Sequence, residues 1–218
     1  RDFCLSRGLG DVYKRQVPDN KKEVVNGWGW PNELVSWNWK GLEGQTLSVN
    51  VYSRSPKVRL YLNGKLIGEK ETGKENYTAT FEVPYEPGIL KAVNSKGKEE
   101  FILKTAGEPA AIRLTADRNT IKACKNDLSY VKIELVDKDG NVVPDTSLPV
   151  KIACSGKGTV IAGGNAAYDD MKSFRSLTPN TFRGRAIAIV QPTEEKGEIR
   201  VTVSAEGMED ASVLIHAE

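Results

Sequence analysis

The alternation of apolar and polar residues predicts strands along the first half of the chain. Residues 34–39 alternate and are followed by Gly41 and Gly44, and residues 46–52 repeat the pattern. Because successive side chains of a strand point to opposite faces, a period of two is typical of a half-buried strand. We predict a strand in each segment, and we expect the first, which carries Trp37 and Trp39, to organise its domain.

A two-residue turn gives the strongest local signal in the sequence. Asn63-Gly64 separates the apolar-polar runs at residues 58–62 and 65–68. Both residue types tolerate positive φ, as a type I′ turn requires, so the pair predicts a β-hairpin. Further strands are expected at residues 77–83, 89–93 and 99–103. About seven short strands at this spacing are typical of a β-sandwich.

The second half of the chain repeats this organisation after a short linker at residues 105–109. Strands are predicted at residues 110–117, 128–136, 150–154, 158–163, 186–190, 199–204 and 211–215, with an irregular section between 164 and about 180. The pattern is immunoglobulin-like. The predicted fold is all-β, with two tandem immunoglobulin-like antiparallel β-sandwiches at residues 17–105 and 106–218.

Residues 1–16 fit neither the strand period nor the helix period. They do not begin with Met, and they lack the basic and apolar regions of a signal peptide. The segment resembles translated linker sequence. We therefore predict an artefactual, disordered tail, in which Cys4 has no role.

Charge and histidine content exclude several classes of function. The 31 basic and 29 acidic residues are interspersed, so no basic stripe indicates a nucleic-acid partner. No apolar run reaches the length of about 18 residues that spans a membrane. The single histidine, His216, lies two residues from the C-terminus, which argues against Ser-His or Cys-His catalysis and against most zinc sites. No cofactor is predicted.

The three cysteines, Cys4, Cys124 and Cys154, lack the spacing of a metal site or a disulfide framework. Cys124 and Cys154 are interpreted either as two separate, partly buried thiols or as one disulfide. The disulfide would require Cα atoms within about 7 Å of each other.

Residues 137–141, Asp-Lys-Asp-Gly-Asn, invite comparison with a calcium loop. An EF-hand loop needs a bidentate Glu at its twelfth position, where this chain has Leu148. A β-turn suited to Asp and Gly is the better interpretation. Gly163-Gly164 lacks the strand-to-helix context of a phosphate loop, so no metal or phosphate site is predicted.

Several motifs resemble the non-catalytic domains of one enzyme family. In the first half they are Trp37-Asn38-Trp39-Lys40-Gly41, Leu60-Tyr61-Leu62-Asn63-Gly64-Lys65 and residues 43–45, 51–53 and 85–92. In the second half they are residues 106–112, 136–141, 182–186, 189–191 and 204–208. In this order they resemble the two last domains of β-galactosidases of glycoside hydrolase family 2, Bacteroidetes type, over residues from about 28 to 217. Two positions differ from the family pattern. Ser36 stands where the family often has His, and residues 164–170 replace Gly-Asn-Gly-Asp-Pro.

The resemblance implies that catalysis lies elsewhere in the parent enzyme. Glycoside hydrolysis needs two carboxylates about 5–9 Å apart, and in this family they lie in a barrel that precedes these domains. Glu43, Glu86 and the pair Asp169-Asp170 are candidates by residue type alone, and we place no catalytic residue in this chain. The implied partners are the upstream barrel and galactoside-containing glycans. The implied location is the periplasm or the cell surface.

Four tryptophans, Trp28, Trp30, Trp37 and Trp39, fall within twelve residues. Aromatic faces stack on sugar rings, but aromatic side chains also bury large areas in cores and interfaces. We expect Trp37 and Trp39 to pack against the core or the barrel, and regard Trp28 and Trp30 as the better candidates for a sugar contact. Two alternatives therefore stay open: an independent carbohydrate-binding module that uses Trp28 and Trp30, or an adhesin-type tandem.

Overall fold

A computed structural model describes residues 10–14, by their backbone, and residues 33–218. These residues form sixteen strands and no helix, so the all-β prediction is confirmed. The chain divides into two compact units, residues 1–105 and 106–218. Each unit contains two four-stranded sheets and its own apolar core.

The described residues of the first unit form eight antiparallel strands. They are β1 Gly10–Lys14, β2 Glu33–Leu34, β3 Thr46–Tyr52, β4 Lys57–Leu62, β5 Lys65–Glu71, β6 Thr78–Pro84, β7 Ile89–Asn94 and β8 Glu100–Lys104. The sheet orders are β2-β1-β3-β6 and β5-β4-β7-β8. The alternation in the sequence produces the core directly, because Leu47, Val49 and Val51 all face inward from β3.

The predicted hairpin joins β4 to β5. Asn63 and Gly64 both have positive φ, 49° and 81°, as a type I′ turn requires. The Asn63 side chain also reaches the next turn: its Nδ2 donates to the carbonyl of Pro87 at 3.2 Å, and its Oδ1 accepts from the Ile89 amide at 2.8 Å. A Cβ on Gly88 would lie 1.9 Å from Asn63 Oδ1, so this contact requires glycine there.

The prediction of a strand over residues 34–39 is wrong beyond Leu34. Only Glu33–Leu34 is a strand, and the following residues are irregular until Thr46. The Trp37 carbonyl accepts hydrogen bonds from Thr105 Oγ1 at 2.6 Å and Tyr85 Oη at 3.4 Å. The alternation therefore reflects burial of Trp37, while side chains satisfy backbone groups that a neighbouring strand would otherwise bind.

Residues 10–14 lie within the predicted artefactual tail of residues 1–16, whose disorder stays a prediction. They form β1, which pairs with β2 and runs antiparallel to β3, with Val12 opposite Asn50. A strand edge offers backbone donors and acceptors to any extended segment, whatever its side-chain pattern. The other residues of that predicted tail lie outside the described residues.

The second unit contains the remaining eight strands. They are β9 Ala111–Ala116, β10 Thr120–Ile121, β11 Ser129–Val136, β12 Val150–Gly156, β13 Gly158–Gly164, β14 Arg185–Pro192, β15 Gly197–Ala205 and β16 Ala211–Ala217. The sheet orders are β13-β14-β11-β9 and β10-β16-β15-β12. The pair β10–β16 is parallel. Residues 165–184, between β13 and β14, form the predicted irregular section, which we call the β13–β14 loop.

Candidate functional site

Trp37 and Tyr85 form the centre of the predicted tryptophan site. Trp37 is 1% exposed, and its ring meets that of Tyr85 edge to face, with centroids 5.1 Å apart and an interplanar angle of 70°. The Trp37 indole N–H donates to the carbonyl of Glu86 at 3.0 Å. Because Trp37 is enclosed by its own core, its ring has no face open to a sugar.

Trp39 lies beside this pair and is partly buried against the same core. Its backbone amide donates to Tyr85 Oη at 3.1 Å, and its indole N–H donates to the Ser36 carbonyl at 3.3 Å. The structure thus brings Trp37 and Trp39 together around Tyr85. Trp28 and Trp30 lie outside the described residues, so their contact with sugar stays a prediction.

The carboxylates singled out by residue type are solvated or engaged in turns. Glu43 and Glu86 are exposed, and Glu43 Oε1 accepts from the Gly41 amide at 3.2 Å. Asp169 is exposed, and Asp170 accepts from Asn165 and Lys172. The described carboxyl groups whose pKa is shifted all have it lowered: Glu69, Asp127, Glu134, Asp137, Asp170 and Glu195. A glycosidase general acid needs the opposite shift.

Glu134 is a buried carboxylate that the sequence did not indicate. It lies on β11, directly opposite Arg113 of β9 and Arg185 of β14. Its Oε2 accepts from Arg113 Nη2 at 2.9 Å, and its Oε1 lies 3.2 Å from Arg185 Nε and 3.3 Å from Lys132 Nζ. Burial opposes ionisation, but hydrogen bonds from these cations outweigh it and hold the pKa of Glu134 below its ordinary value.

Asp137 organises the turn that resembled a calcium loop. Its carboxylate accepts from the backbone amides of Gly107, Asp139 and Asn141 at 2.8–2.9 Å, and from Asn141 Nδ2. Burial raises its pKa, but these donors prevail and lower it to about 2. Because hydrogen-bond donors already occupy the oxygens of this carboxylate, it stabilises the turn rather than binding a cation. Across the described residues no three acidic, His or Cys side chains are grouped as metal ligands.

Cys124 and Cys154 are separate thiols, so the disulfide between them does not form. Cys124 is exposed and Cys154 is partly buried, and both are free. Cys154 Sγ donates to the Gly158 carbonyl at 3.4 Å, and burial raises the pKa of this thiol.

The β13–β14 loop carries the most exposed large apolar side chains of the described residues. Tyr168 is 95% exposed, Met171 94% and Phe174 69%. This loop includes the segment that departs from the family pattern. The sequence predicts an irregular loop here, but its residues follow no period that would indicate an apolar surface.

Fold and side chains together define a tandem of two β-sandwich domains, in which every described strand pairing except the parallel pair β10–β16 is antiparallel as predicted. Residues 112–214 match the family model described as glycoside hydrolase family 2 C-terminal domain 5, and residues 44–101 match a domain of unknown function, DUF4982. The chain belongs to glycoside hydrolase family 2, of which it represents the C-terminal region. The resemblance drawn from the sequence motifs is therefore confirmed.

Similar proteins are considerably longer than this chain. The β-galactosidase BoGH2A of Bacteroides ovatus is 32% identical over 186 residues, which are 84% of this chain and 22% of that protein. A β-glucuronidase of Formosa agariphila is 27% identical over 221 residues, covering 97% and 22% of the two chains. A crystal structure of a family 2 member from Bacteroides cellulosilyticus superposes with a TM-score of 0.89 at 34% identity, covering 98% of this chain and 29% of that one.

The chain therefore spans between a fifth and a third of the length of these relatives. Among the described residues, no helix is long and apolar enough to cross a bilayer.

Proposed function

We propose that this chain is the non-catalytic accessory region of a β-galactosidase, in which two β-sandwiches support the catalytic domain or shape the rim of its substrate site. The observation that carries the proposal is the ordered match of both units to the C-terminal part of much longer family 2 chains. A match to two successive domains in the same order is more specific evidence for function than a match to one β-sandwich, because the sandwich fold alone serves many functions.

The electrostatics of the described carboxylates support an accessory role. Retaining and inverting glycosidases both need a carboxylic acid that keeps its proton near neutral pH. The shifted carboxyl groups of the described residues instead have lowered pKa values, because they bind cations or backbone amides. Glu134 and Asp137 are thus structural anions of the second unit.

Galactosides are the proposed substrates of the parent enzyme. The relative named β-galactosidase from Bacteroides ovatus is 32% identical to this chain, against 27% for the relative named β-glucuronidase. We further propose a periplasmic or cell-surface location for the parent enzyme, as the family resemblance implies.

Two assays test the accessory role and the substrate. The purified 218-residue chain is expected to release no nitrophenol from p-nitrophenyl β-galactoside, and the parent enzyme is expected to do so at least tenfold faster than it hydrolyses the β-glucuronide. Turnover by the isolated chain would contradict the accessory role, whereas a preference of the parent enzyme for glucuronide would contradict only the substrate.

Removal of the region from the parent enzyme tests its contribution. A variant truncated before these two units is expected to show a lower thermal midpoint, a higher KM or both, since the catalytic domain would lose its support or part of its substrate rim. The matched control carries the complete region with Tyr130→Ala, a change at an exposed residue of β11. Unchanged stability and kinetics after truncation would leave the region without the proposed role.

A further inference from the structure

The β13–β14 loop presents three large apolar side chains to solvent within seven residues. They are Tyr168, Met171 and Phe174. Single exposed apolar residues are ordinary, but a concentration of them marks an interaction site or a liability for aggregation. The distinction depends on whether the loop backbone is fixed and on which chemistry the side chains offer.

The loop backbone is fixed by a network of side-chain hydrogen bonds. Asn165 Nδ2 donates to Asp170 Oδ2 at 2.6 Å and to the Asn180 carbonyl at 3.0 Å, and Asn165 Oδ1 accepts from the Ala167 amide at 2.7 Å. Lys172 Nζ donates to Asn180 Oδ1 at 2.9 Å. Both ends of the exposed segment are thereby tied together, so binding through it requires little further ordering.

Two glycines at the end of β13 seat the loop on the sandwich. The Gly163 amide donates to the Phe174 carbonyl at 2.7 Å. A Cβ on Gly164 would lie 2.6 Å from the Phe174 ring, so one edge of the ring rests on glycine while most of the ring faces solvent. The pair Gly163-Gly164 therefore sets the position of the exposed aromatic ring.

The chemistry of the loop favours a protein partner over a glycan. Tyr, Phe, Met and Arg are enriched at protein interfaces, and the loop contains Arg175 beside the three apolar residues. A methionine side chain adapts to irregular apolar surfaces but offers no hydrogen bond of useful strength to sugar hydroxyls. Met171 is as exposed as Tyr168, so the cluster is a mixed apolar surface rather than a flat aromatic platform.

We propose that Tyr168, Met171 and Phe174 dock on the catalytic part of the same polypeptide. This inference rests on the proposed function. The chain spans 22% of BoGH2A and 29% of the Bacteroides cellulosilyticus structure, so most of the protein surface within its reach lies outside it. A contact within one polypeptide benefits from a high effective concentration, so a patch of three side chains is sufficient.

The two methionines of the chain provide a direct test. Met171 is fully exposed, whereas Met208 is partly buried against the core of the second unit. Mild peroxide oxidises methionine to the sulfoxide according to its exposure. Oxidation of both residues is followed by mass spectrometry in the isolated chain and in the parent enzyme, and the Met208 rate serves as the internal reference.

If the loop is docked, Met171 should oxidise about tenfold more slowly in the parent enzyme than in the isolated chain, while the Met208 rate stays unchanged. A tenfold protection corresponds to a docking free energy of about 1.4 kcal/mol. Equal Met171 rates in the two proteins would overturn the proposal. Protection that increases with concentration of the isolated chain would identify a second copy as the occupant, and protection by millimolar galactoside would identify a glycan. Either result also overturns it.

A double variant of the parent enzyme separates this inference from the proposed function. Tyr168→Ala with Met171→Ala is expected to lower the thermal midpoint of the catalytic domain, while Tyr130→Ala leaves it unchanged. An unchanged midpoint in the double variant refutes docking through the loop. If truncation of the whole region still lowers the midpoint, the accessory role stands without this contact.

Discussion

The two units share a two-sheet architecture but treat their irregular segments in opposite ways. In the first unit the segment before β3 turns Trp37 inward against Tyr85. In the second unit the β13–β14 loop turns Tyr168 and Met171 outward. Both segments contain aromatic residues and few regular hydrogen bonds. Aromatic content therefore does not determine exposure.

The units also differ in the polar groups that they bury. The first unit buries the neutral side chains of Ser53, Thr72 and Asn94, whereas the second buries the carboxylates of Glu134 and Asp137. A buried carboxylate stays ionised only where donors surround it. The second unit should accordingly be the more sensitive of the two to acid.

Removal of Trp37 is expected to have the largest effect on this contrast. Trp37→Ala should destabilise the first unit by about 3–5 kcal/mol, as large-to-small changes of buried aromatics do. The matched change Tyr168→Ala in the isolated chain should stay within about 0.5 kcal/mol, because that side chain is exposed. Urea unfolding followed by circular dichroism measures both changes. Comparable losses of stability would contradict the contrast between a buried Trp37 and an exposed Tyr168.

Acid titration tests the difference in buried charge. The pKa of Asp137 in the folded protein is about 2, below its ordinary value of 3.8. The unfolded chain therefore binds the proton first, so the stabilisation from Asp137 is complete above about pH 4 and is lost as the pH falls towards 2. The midpoint of urea unfolding should fall more for the second unit than for the first over this range.

Asp137→Asn serves as the variant for this titration. It should reduce the acid dependence and cost about 1–3 kcal/mol at pH 7, because an amide cannot satisfy all the donors that converge on the carboxylate. An acid profile identical to that of the unsubstituted chain would show that Asp137 is not the source of the sensitivity.

Tyr85→Phe should have a smaller effect than Trp37→Ala or Asp137→Asn. The change keeps the ring against Trp37 but removes the hydroxyl that accepts from the Trp39 amide and donates to the Trp37 carbonyl. Loss of such hydrogen bonds costs about 0.5–1.5 kcal/mol. Tyr130→Phe is the control, because Tyr130 is exposed on β11. If Tyr85→Phe leaves the free energy of unfolding unchanged, ring packing alone holds the segment before β3 in place.

The strands were accessible from the sequence because burial alternates with the same period as the side chains. β3, with Leu47, Val49 and Val51 inward, is an example, and the Asn63-Gly64 turn follows from local φ preferences alone. The same rule misassigned residues 35–39, since alternating burial is also produced by an irregular segment that presents one large ring to the core. The alternation did not predict β1, because the pairing of β1 with β3 depends on backbone groups and not on a side-chain pattern.

The site features depended on strand register, which one sequence does not specify. The ionic cluster exists because Arg113 and Arg185 fall opposite Glu134 on neighbouring strands. A shift of one residue in either pairing would turn the arginine of that strand to the face of the sheet opposite Glu134. The exposed surface of the β13–β14 loop was equally inaccessible, because its side chains obey no period.

Asn63 has a consequence for how the first unit reaches its native arrangement. Its side chain closes on Pro87 and Ile89, more than twenty positions later in the chain. If β4 and β5 paired in a shifted register, the Asn63 side chain would point away from Gly88. The turn at Pro87 and Ile89 would then lose its hydrogen bonds to Asn63. We expect that mispaired intermediates are consequently rejected when β7 arrives, so that one short polar side chain helps to select the correct alignment during folding.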